Sequence, residues 1–253
     1  MNIWQALFYG ILQGATEFLP VSSSGHLVLF NKIFGTGGNF IAFSVFLHIA
    51  TLFAVIIVLR KQIWELIKHP FSPLALKLYL STLITVIIAI LFKDTFEELF
   101  SGKLLPISFM LTAVLLVTTE LLSKKQTHKI SYKTSFVVGL MQGIAIIPGI
   151  SRSGATICGG VLEGANKEDC AEFSFILSIP IILASMAMEI FDSVKLGKPF
   201  FDAPIVPTLI AFFTAFFVGI LCVNVMLKLV KKAKFYPFAI YLTALSIACL
   251  FIV

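Results

Sequence analysis

The sequence predicts an all-α polytopic membrane protein built as an inverted-topology repeat, with six transmembrane helices and two re-entrant helical hairpins. Three observations predict this fold class. Hydrophobic residues make up 58% of the 253 positions and charged residues only 13%, against about 25% charged residues in soluble domains. Six apolar runs are long enough to cross a bilayer, and the two halves of the chain resemble each other at a constant offset. We therefore treat residues 1–253 as a single integral membrane domain.

The predicted spans are apolar runs of roughly 20 residues, the length that crosses a hydrocarbon core of about 30 Å. They lie near residues 40–59, 75–92, 104–122, 170–191, 204–227 and 235–253. The amino-terminal residues lack the basic stretch and cleavage site of a signal peptide, so we expect them in the mature protein. The net charge of +6 is typical of basic cytoplasmic loops, and we expect no nucleic acid as a partner.

An internal repeat relates the two halves of the chain. Without a gap, an offset of 129 positions aligns Gly10, Gln13, Gly14, Ser22, Ser24 and Gly25 with Gly139, Gln142, Gly143, Ser151, Ser153 and Gly154. At an offset of 130, FSVFLHIATLFA from Phe43 matches FSFILSIPIILA from Phe173 at five of twelve positions. We predict a first repeat at about 1–125 and a second at about 130–253, each with one interrupted segment followed by three spans.

Basic residues determine the predicted orientation, because loops rich in Lys and Arg stay in the cytoplasm. One side of the chain carries thirteen of them: Arg60, Lys61, Lys68, Lys77, Lys124, Lys125, Lys129, Lys133, Lys167, Lys228, Lys231, Lys232 and Lys234. The other side carries five, Lys32, Lys93, Lys103, Lys195 and Lys198, beside the acidic residues Asp94, Glu97, Glu98, Glu189 and Asp192. We therefore expect both termini outside, and Arg152 as the one cation deep in an apolar region.

The interrupted segments are predicted to be re-entrant hairpins. Each half has three full spans, and an odd number of crossings gives the second half the opposite orientation in the membrane. This holds only if the interrupted segments do not themselves cross the membrane. The lysine distribution agrees, because segment 2–33 must enter and leave from outside and segment 133–163 from the cytoplasm. Non-helical backbone at membrane depth is tolerated only where it is buried in protein or lines a wet cavity.

The hairpin turns are the stretches FLPVSSSGHL at 18–27 and IIPGISRSGAT at 146–156. Proline removes a backbone donor and clashes with the preceding turn of a helix. The first half-helices are accordingly expected to end at Pro20, Pro148 and Gly149. The serines suit N-cap positions of second half-helices, which we expect to restart near Gly25 and Gly154. Two positive helix ends that face each other would form an anion site.

Polar side chains of both turns are predicted to converge. Gln13 and Glu17 are four residues apart and share one helix face, so Glu17 faces what the first turn holds. Glu17 indicates either a bridging divalent cation or a proton-transfer role. His26 is a candidate general acid, base or nucleophile. Ser23 is a candidate nucleophile if Glu17 or His26 accepts its proton. Arg152 suits phosphate because its guanidinium binds two oxygens at once.

Ionisable groups at membrane depth are costly, so we treat them as functional candidates. The predicted catalytic residues are Glu17, Ser23, His26 and Arg152. The residues predicted to contact substrate are Gln13, Ser22, Ser24, Gly25, Ser151, Ser153 and Gly154. A structural alternative is an ion pair of Glu17 with Arg152 that joins the hairpins. We place His48 and Ser178 outside the site, because single polar residues in spans often form helix–helix hydrogen bonds. Asn224 and Glu120 are also placed outside it, because they lie near the cytoplasmic ends of spans, where they can reach water.

Two motifs resemble a known family. QGATEFLPVSSSGHL at 13–27 and PGISRSGAT at 148–156 are similar to the two signature motifs of the bacterial undecaprenyl-diphosphate phosphatases of the bacitracin-resistance type. The resemblance covers the whole chain and includes PFAIY at 237–241. It implies removal of the terminal phosphate of undecaprenyl diphosphate in the bacterial plasma membrane, with dependence on Mg²⁺ or Ca²⁺. This reaction would regenerate the monophosphate carrier of cell-wall precursors and confer bacitracin resistance. Membrane lipids and a second copy in a homodimer are further expected partners.

The family's essential glutamate, serine, histidine and arginine correspond to Glu17, Ser23, His26 and Arg152. The first motif of the family has Glu or Gln, then three residues, then this glutamate, and Gln13 is the Gln form. Because the first carboxylate is an amide here, we expect Glu17 to hold the metal alone with substrate oxygens and water.

Alternatives remain at this point for both mechanism and function. Ser23 is our first choice of nucleophile, while a phospho-histidine at His26 and direct attack by water stay open. Inverted repeats with broken helices also occur in secondary transporters. The alternative function is therefore a polyprenyl-phosphate flippase or transporter with the same architecture, since fold does not dictate function.

Overall fold

The computed structural model describes residues 1–35, 39–92, 95, 99, 102–123, 128–195, 197, 204–231 and 234–252. Within these residues the chain is α-helical, and its one β-type pairing is an isolated bridge between His128 and Ala165. The helices are α1 (Ile3–Thr16), α2 (Ser23–Phe34), α3 (Phe40–Val58), α4 (Arg60–Lys68), α5 (Pro73–Leu91), α6 (Leu105–Leu122), α7 (Tyr132–Ile144), α8 (Arg152–Leu162), α9 (Lys167–Lys195), α10 (Ile205–Leu229) and α11 (Tyr236–Cys249).

Five of the described helices, α3, α5, α6, α9 and α10, are long and apolar enough to span a membrane. The predicted all-α polytopic fold class is confirmed. The sixth predicted span is the shorter apolar helix α11, which has 14 residues. At 1.5 Å per residue its helical part is about 21 Å long, less than the hydrocarbon core of about 30 Å. Helix α4, where we expected only a loop, is amphipathic and follows α3 after a single residue.

Several helices begin at signals that are visible in the sequence. The side chain of Asn2 accepts from the backbone N–H of Gln5, and the Gln5 side chain accepts from the Asn2 N–H, both at 2.8 Å. This reciprocal pair is a capping box that satisfies two free donors at the start of α1. Ser72 caps α5, and Pro73 occupies its first turn, where a missing N–H costs nothing.

Both interrupted segments fold back as helical hairpins. In the first, Phe8 of α1 contacts Phe30 near the end of α2, with ring centroids 4.7 Å apart. In the second, a methyl group built on Gly159 of α8 would lie 2.9 Å from Met141 of α7. The first helices end at Thr16 and Ile144, earlier than the ends we expected at Pro20, Pro148 and Gly149. Thr16 and Ile144 each lie four positions before a proline, where the proline ring clashes with the helix carbonyl.

Each hairpin packs against a span of the other half of the chain. Helix α1 lies along α10, and α7 lies along α5. A methyl group built on Gly10 would lie 2.5 Å from the carbonyl oxygen of Ala211, and one on Gly139 would lie 2.8 Å from that of Ser81. Gly10 and Gly139 are equivalent at the offset of 129. The hairpin helix of each half therefore makes the same close backbone contact with a span of the other half. Small residues allow such backbone approach in lipid. The repeat boundaries themselves stay a prediction.

The polar loops separate into two ends. At one end Lys77 donates to the carbonyl of Ile130 at 2.7 Å, and Nε2 of His128 lies 3.0 Å from the Glu163 carbonyl. Two ion pairs lie at the same end, Lys167 with Glu120 at 2.6 Å and Lys231 with Glu168 at 2.8 Å. At the opposite end the Asn39 side chain donates to Glu189 at 2.9 Å. Residues of the lysine comparison that lie outside the described residues are Lys93, Asp94, Glu97, Glu98, Lys124, Lys125, Lys198 and Lys232.

Candidate active site

The turns of the two hairpins meet inside the molecule. The Ser22 hydroxyl donates to the carbonyl of Ile150 at 3.3 Å, and the Ser153 hydroxyl donates to that of Leu19 at 3.0 Å. A methyl group built on Gly25 would lie 2.7 Å from the backbone of the opposite turn. The predicted meeting of the two turns is therefore observed, and hydrogen bonds in both directions hold it.

Two of the serines cap the second half-helices. Ser22 accepts from the N–H of Gly25 at 3.3 Å, and Ser151 accepts from the N–H of Gly154 at 3.1 Å. The predicted N-cap positions of the serines are observed, so the N–H groups of these two glycines are not free to bind an anion. The glycines are instead required where the turns pack together. Helices α2 and α8 begin at Ser23 and Arg152, two residues before the expected restart.

Ser22 is the one non-glycine residue with a positive φ among the described residues, at φ 68° and ψ 92°. L-residues rarely adopt this conformation, which costs of order 1–3 kcal/mol and persists where surrounding contacts hold it. In the second turn the positive φ falls on Gly149, at 94°. The first turn is therefore the strained one, and it directly precedes Ser23.

Glu17 is the centre of a buried polar cluster and is 6% exposed. Its Oε1 lies 2.5 Å from Nη2 of Arg152. Its Oε2 accepts from the Ser23 hydroxyl at 2.5 Å and from the Gln13 amide at 3.1 Å, and lies 3.4 Å from Nε2 of His48. A buried carboxylate is costly unless it is paired and hydrogen-bonded, and Glu17 is both.

Arg152 bridges the carboxylate and the span that follows the second hairpin. Nη2 contacts Glu17, while Nη1 donates to the carbonyl of Ser174 in α9 at 3.1 Å. The Ser174 hydroxyl lies 2.6 Å from that of Thr156 in α8, so the segment that holds Arg152 is itself cross-linked. The Arg152 side chain is 17% exposed against 4% for Glu17, so Arg152 is the more accessible member of the pair.

The structure brings together four predicted site residues, Gln13, Glu17, Ser23 and Arg152. It differs from our expectation for the imidazole, because the ring beside Glu17 belongs to His48. His26 points elsewhere: its ring nitrogens lie 2.7 Å from the Ser22 carbonyl and 2.7 Å from the Tyr241 hydroxyl. One helical turn separates His26 from Ser22, so the ring folds back on its own N-cap.

The remaining predicted serines connect the turns to each other. The hydroxyls of Ser22 and Ser24 are 3.4 Å apart, and those of Ser151 and Ser153 are 3.3 Å apart. These pairs are equivalent at the offset of 129. The predicted contacts of these serines and of the two glycines with substrate stay predictions.

Sequence reasoning missed three residues of the spans that line this cluster. Besides His48, Thr51 of α3 lies 3.4 Å from the Gln13 amide nitrogen, and Ser174 of α9 binds Arg152. A signal was present, since His48 and Ser174 lie in the two stretches that match at an offset of 130. A polar residue in the span after each hairpin was therefore a candidate for facing the turn.

The donors around Glu17 fit a divalent cation only in part. Among the described residues no three His, Cys, Asp or Glu side chains are grouped as a metal site. The Oε1 atom of Gln13 is buried without a hydrogen-bond partner in the described structure, and hard cations such as Mg²⁺ and Ca²⁺ prefer oxygen ligands. Glu17 and Gln13 could thus supply oxygens, while the other ligands would have to come from substrate and water.

Chemically, this cluster can activate a hydroxyl beside an anion site. The Ser23 hydroxyl already donates to a carboxylate that can accept its proton. The guanidinium of Arg152 carries five N–H donors, of which Glu17 and Ser174 engage only part. A phosphate placed between Ser23 and Arg152 would meet a nucleophile, a base and a charge-stabilising donor.

Comparison with known proteins gives a consistent result. The family model of the bacitracin resistance protein BacA matches residues 6–248. An undecaprenyl-diphosphatase of Carboxydothermus hydrogenoformans is 40% identical over 99% of this chain and 97% of its own length. Undecaprenyl-diphosphatases of Christiangramia forsetii and Parabacteroides distasonis are 40% and 37% identical, each over 98% of its own length. With the family model covering nearly the whole chain, the protein belongs to the bacitracin resistance protein BacA family.

Proposed function

We infer that the protein hydrolyses undecaprenyl diphosphate to undecaprenyl phosphate and inorganic phosphate. This activity recycles the lipid carrier of cell-wall precursors and confers resistance to bacitracin. The observation that carries the proposal is the carboxylate of Glu17, which accepts from the Ser23 hydroxyl on one oxygen and pairs with Arg152 on the other. The family relationship supports the same activity.

In the proposed mechanism, the Oγ atom of Ser23 attacks the terminal phosphorus. The bond from Oγ to phosphorus forms, the bond to the bridging oxygen breaks, and undecaprenyl phosphate leaves. The Ser23 proton passes to Glu17, which lies 2.5 Å away. Glu17 passes this proton to the departing undecaprenyl phosphate and becomes a carboxylate again. Water then attacks the phosphoserine and the bond from Oγ to phosphorus breaks. Glu17 accepts a proton from this water and returns it to Oγ of Ser23, and inorganic phosphate is released.

Arg152 stabilises the negative charge that the transferred phosphoryl group carries in the transition state. A guanidinium binds phosphate oxygens in a bidentate manner, and a site with little water strengthens this interaction. Helices α2 and α8 begin at Ser23 and Arg152. The amino end of each helix contributes partial positive charge next to the proposed phosphate position. Because Glu17 already pairs with Arg152, a bound phosphate would compete with Glu17 for the guanidinium. Substrate binding is therefore expected to shift Arg152 towards the phosphate.

A divalent cation stays part of the proposal. Glu17, with Gln13 beside it, would hold Mg²⁺ or Ca²⁺ together with substrate oxygens and water. When bound, such a cation neutralises charge on the diphosphate.

We propose that the chain lies in the bacterial plasma membrane with both termini outside. The polyprenyl tail can remain in lipid between the spans while the diphosphate reaches the buried cluster. Membrane lipids are then direct neighbours of the protein. The expected homodimer stays a prediction.

The test is a phosphate-release assay on purified protein with undecaprenyl diphosphate, with and without a chelator. We expect activity in the wild type, loss of about 10³-fold or more in Ser23→Ala, and a comparable loss in Glu17→Gln. Ser193→Ala, a buried serine at the far end of α9, is the matched control and should keep full activity. The chelator should lower the rate, and adding Mg²⁺ or Ca²⁺ should restore it.

Mass spectrometry of enzyme quenched during turnover adds a second measurement. A phosphate on Ser23 supports the covalent mechanism, and a phosphate on His26 or on neither residue contradicts it. Tight binding of the lipid by the wild type without phosphate release would contradict the enzymatic proposal and support the transporter alternative.

A further inference from the structure

Tyr241 connects the last helix of the chain to the first hairpin turn. Its hydroxyl lies 2.7 Å from Nε2 of His26. The two rings are stacked, with centroids 5.7 Å apart and an interplanar angle of 3°. Phe109 of α6 packs edge-on against the same imidazole at 5.5 Å. Helix α11 of the second half therefore reaches into the turn of the first half through one side chain, and His26 itself is 1% exposed.

The partners of His26 determine the direction of both hydrogen bonds. Nδ1 lies 2.7 Å from the Ser22 carbonyl oxygen, which can only accept, so Nδ1 carries the proton. In the neutral ring Nε2 is then the acceptor, and the Tyr241 hydroxyl donates to it. Both ring nitrogens are thus engaged: the Ser22 carbonyl sets the tautomer, and the Tyr241 hydroxyl satisfies the remaining nitrogen and holds the ring in this orientation.

The Ser22 carbonyl is the point where this chain of contacts meets the active site. It accepts from the His26 side chain at 2.7 Å and from the His26 backbone N–H at 3.2 Å. Ser22 has the positive φ of 68°, and the next residue is Ser23, whose hydroxyl lies 2.5 Å from Glu17. A shift of the Ser22 peptide would therefore move the nucleophile relative to its base.

We propose that Tyr241 is a positioning residue for the hydrolytic reaction. Acting through His26, it holds the Ser22 carbonyl and thereby keeps the Ser23 hydroxyl against Glu17. His26 in this role orients the turn and transfers no proton. The proposal rests on the proposed function, because it assigns Tyr241 a part in the step that Ser23 carries out.

The first test compares kcat and KM of Tyr241→Phe and wild type in the phosphate-release assay. Phenylalanine keeps the stacked ring and removes the hydroxyl alone. We expect kcat to fall about tenfold, the effect of one lost hydrogen bond, with KM unchanged within about twofold. Tyr236→Phe, on the same helix five residues earlier, is the matched control and should behave as wild type. Thermal unfolding is measured on each variant, because a purely structural role would lower the melting temperature without this selective loss of kcat.

The second test uses His26 variants. Asparagine places an N–H donor near the position of Nδ1, so His26→Asn can still bind the Ser22 carbonyl, whereas His26→Ala cannot. We expect His26→Asn to keep at least about tenfold more activity than His26→Ala. In the His26→Asn background, Tyr241→Phe should have no further effect, since residues that act through one contact are not additive.

The outcomes separate this role from the proposed function. Full kcat in Tyr241→Phe beside an active wild type would overturn the role of Tyr241 alone. Equal inactivity of His26→Asn and His26→Ala, or additive losses in the double variant, would overturn it as well. An inactive wild type would overturn the proposed hydrolysis and this role with it.

Discussion

At the scale of the residue, Glu17 combines two opposing requirements. The proposed mechanism places it among buried reacting groups, yet a buried carboxylate needs compensation. Arg152 supplies the opposite charge on one oxygen, while Ser23 and Gln13 donate to the other. The compensation comes from both hairpins, so the carboxylate is stable only when the two turns are docked. The same ion pair thus joins the two hairpins in the resting protein, and in the proposed mechanism the phosphate of the substrate competes for the guanidinium.

His48 provides a test at the residue scale. Its Nε2 lies 3.4 Å from Glu17, and Nδ1 lies 2.7 Å from the carbonyl of Ser44, which fixes the ring. We expect His48→Leu to lower kcat/KM about tenfold, because Glu17 loses a polar neighbour. His48→Gln keeps a polar group and should lose less. The measurement is phosphate release, and unchanged kcat/KM in His48→Leu would refute the contribution. His69→Leu, 68% exposed beyond the end of α4, should leave kcat/KM unchanged.

At the scale of the element, the hairpins depend on the spans of the opposite half. Helix α1 carries Gln13 and ends beside Glu17, and its position is determined by contact with α10. Within lipid there is no hydrophobic force between helices, so close backbone packing at small residues holds them together. Gly10 and Gly14 provide that contact in α1, and Gly139 and Gly143 provide it in α7.

A glycine substitution tests this packing. In Gly10→Ala the new methyl group would lie 2.5 Å from the Ala211 carbonyl oxygen, which belongs to the backbone and cannot rotate away. We expect a loss of about 1–3 kcal/mol in the free energy of unfolding, together with reduced activity. Gly139→Ala should have a similar effect at the equivalent contact. Denaturant unfolding in detergent measures both, with Ile11→Ala, half exposed on the other face of α1, as the control. Wild-type stability in Gly10→Ala would contradict this packing.

At the scale of the whole molecule, the loops lie at two ends that differ in charge. The end with the ion pairs of Lys167 and Lys231 is rich in lysine, and the opposite end carries the contact between Asn39 and Glu189. The excess of basic residues favours the cytoplasm for the first end. In the proposed orientation, the two hairpins enter from opposite sides and their turns meet between the two membrane surfaces.

Cysteine labelling tests the proposed orientation. In a background without the four native cysteines, Lys195→Cys should react with a membrane-impermeant maleimide in intact cells. Lys68→Cys should react only after the cells are permeabilised. Both are lysines at the ends of described helices, α9 and α4, so they form a matched pair. The reverse pattern would contradict the orientation with both termini outside.

Much of the site could be predicted from the sequence because its signals are local. Prolines four residues after Thr16 and Ile144 end the first half-helices, and serines at matching positions cap the second ones. The repeat at an offset of 129 showed that the two hairpins are equivalent. Glu17 and Arg152 stood out because they are ionisable residues in otherwise apolar stretches. These are properties of short stretches or of composition, so they can be recognised without a structure.

The identity of the neighbouring imidazole was decided by the tertiary structure alone. His26 belongs to the turn motif, yet it bonds Ser22 and Tyr241, while His48 from the next span lies beside Glu17. The short length of α11 and the presence of α4 were likewise visible only in the structure. The amino-acid sequence was sufficient to predict a membrane protein with two broken helices and to single out Glu17 and Arg152 as ionisable groups at membrane depth. Only the tertiary structure could show which histidine lies beside Glu17. That neighbour depends on the rotation and depth at which helices from distant parts of the chain pack, and no local sequence pattern encodes these contacts.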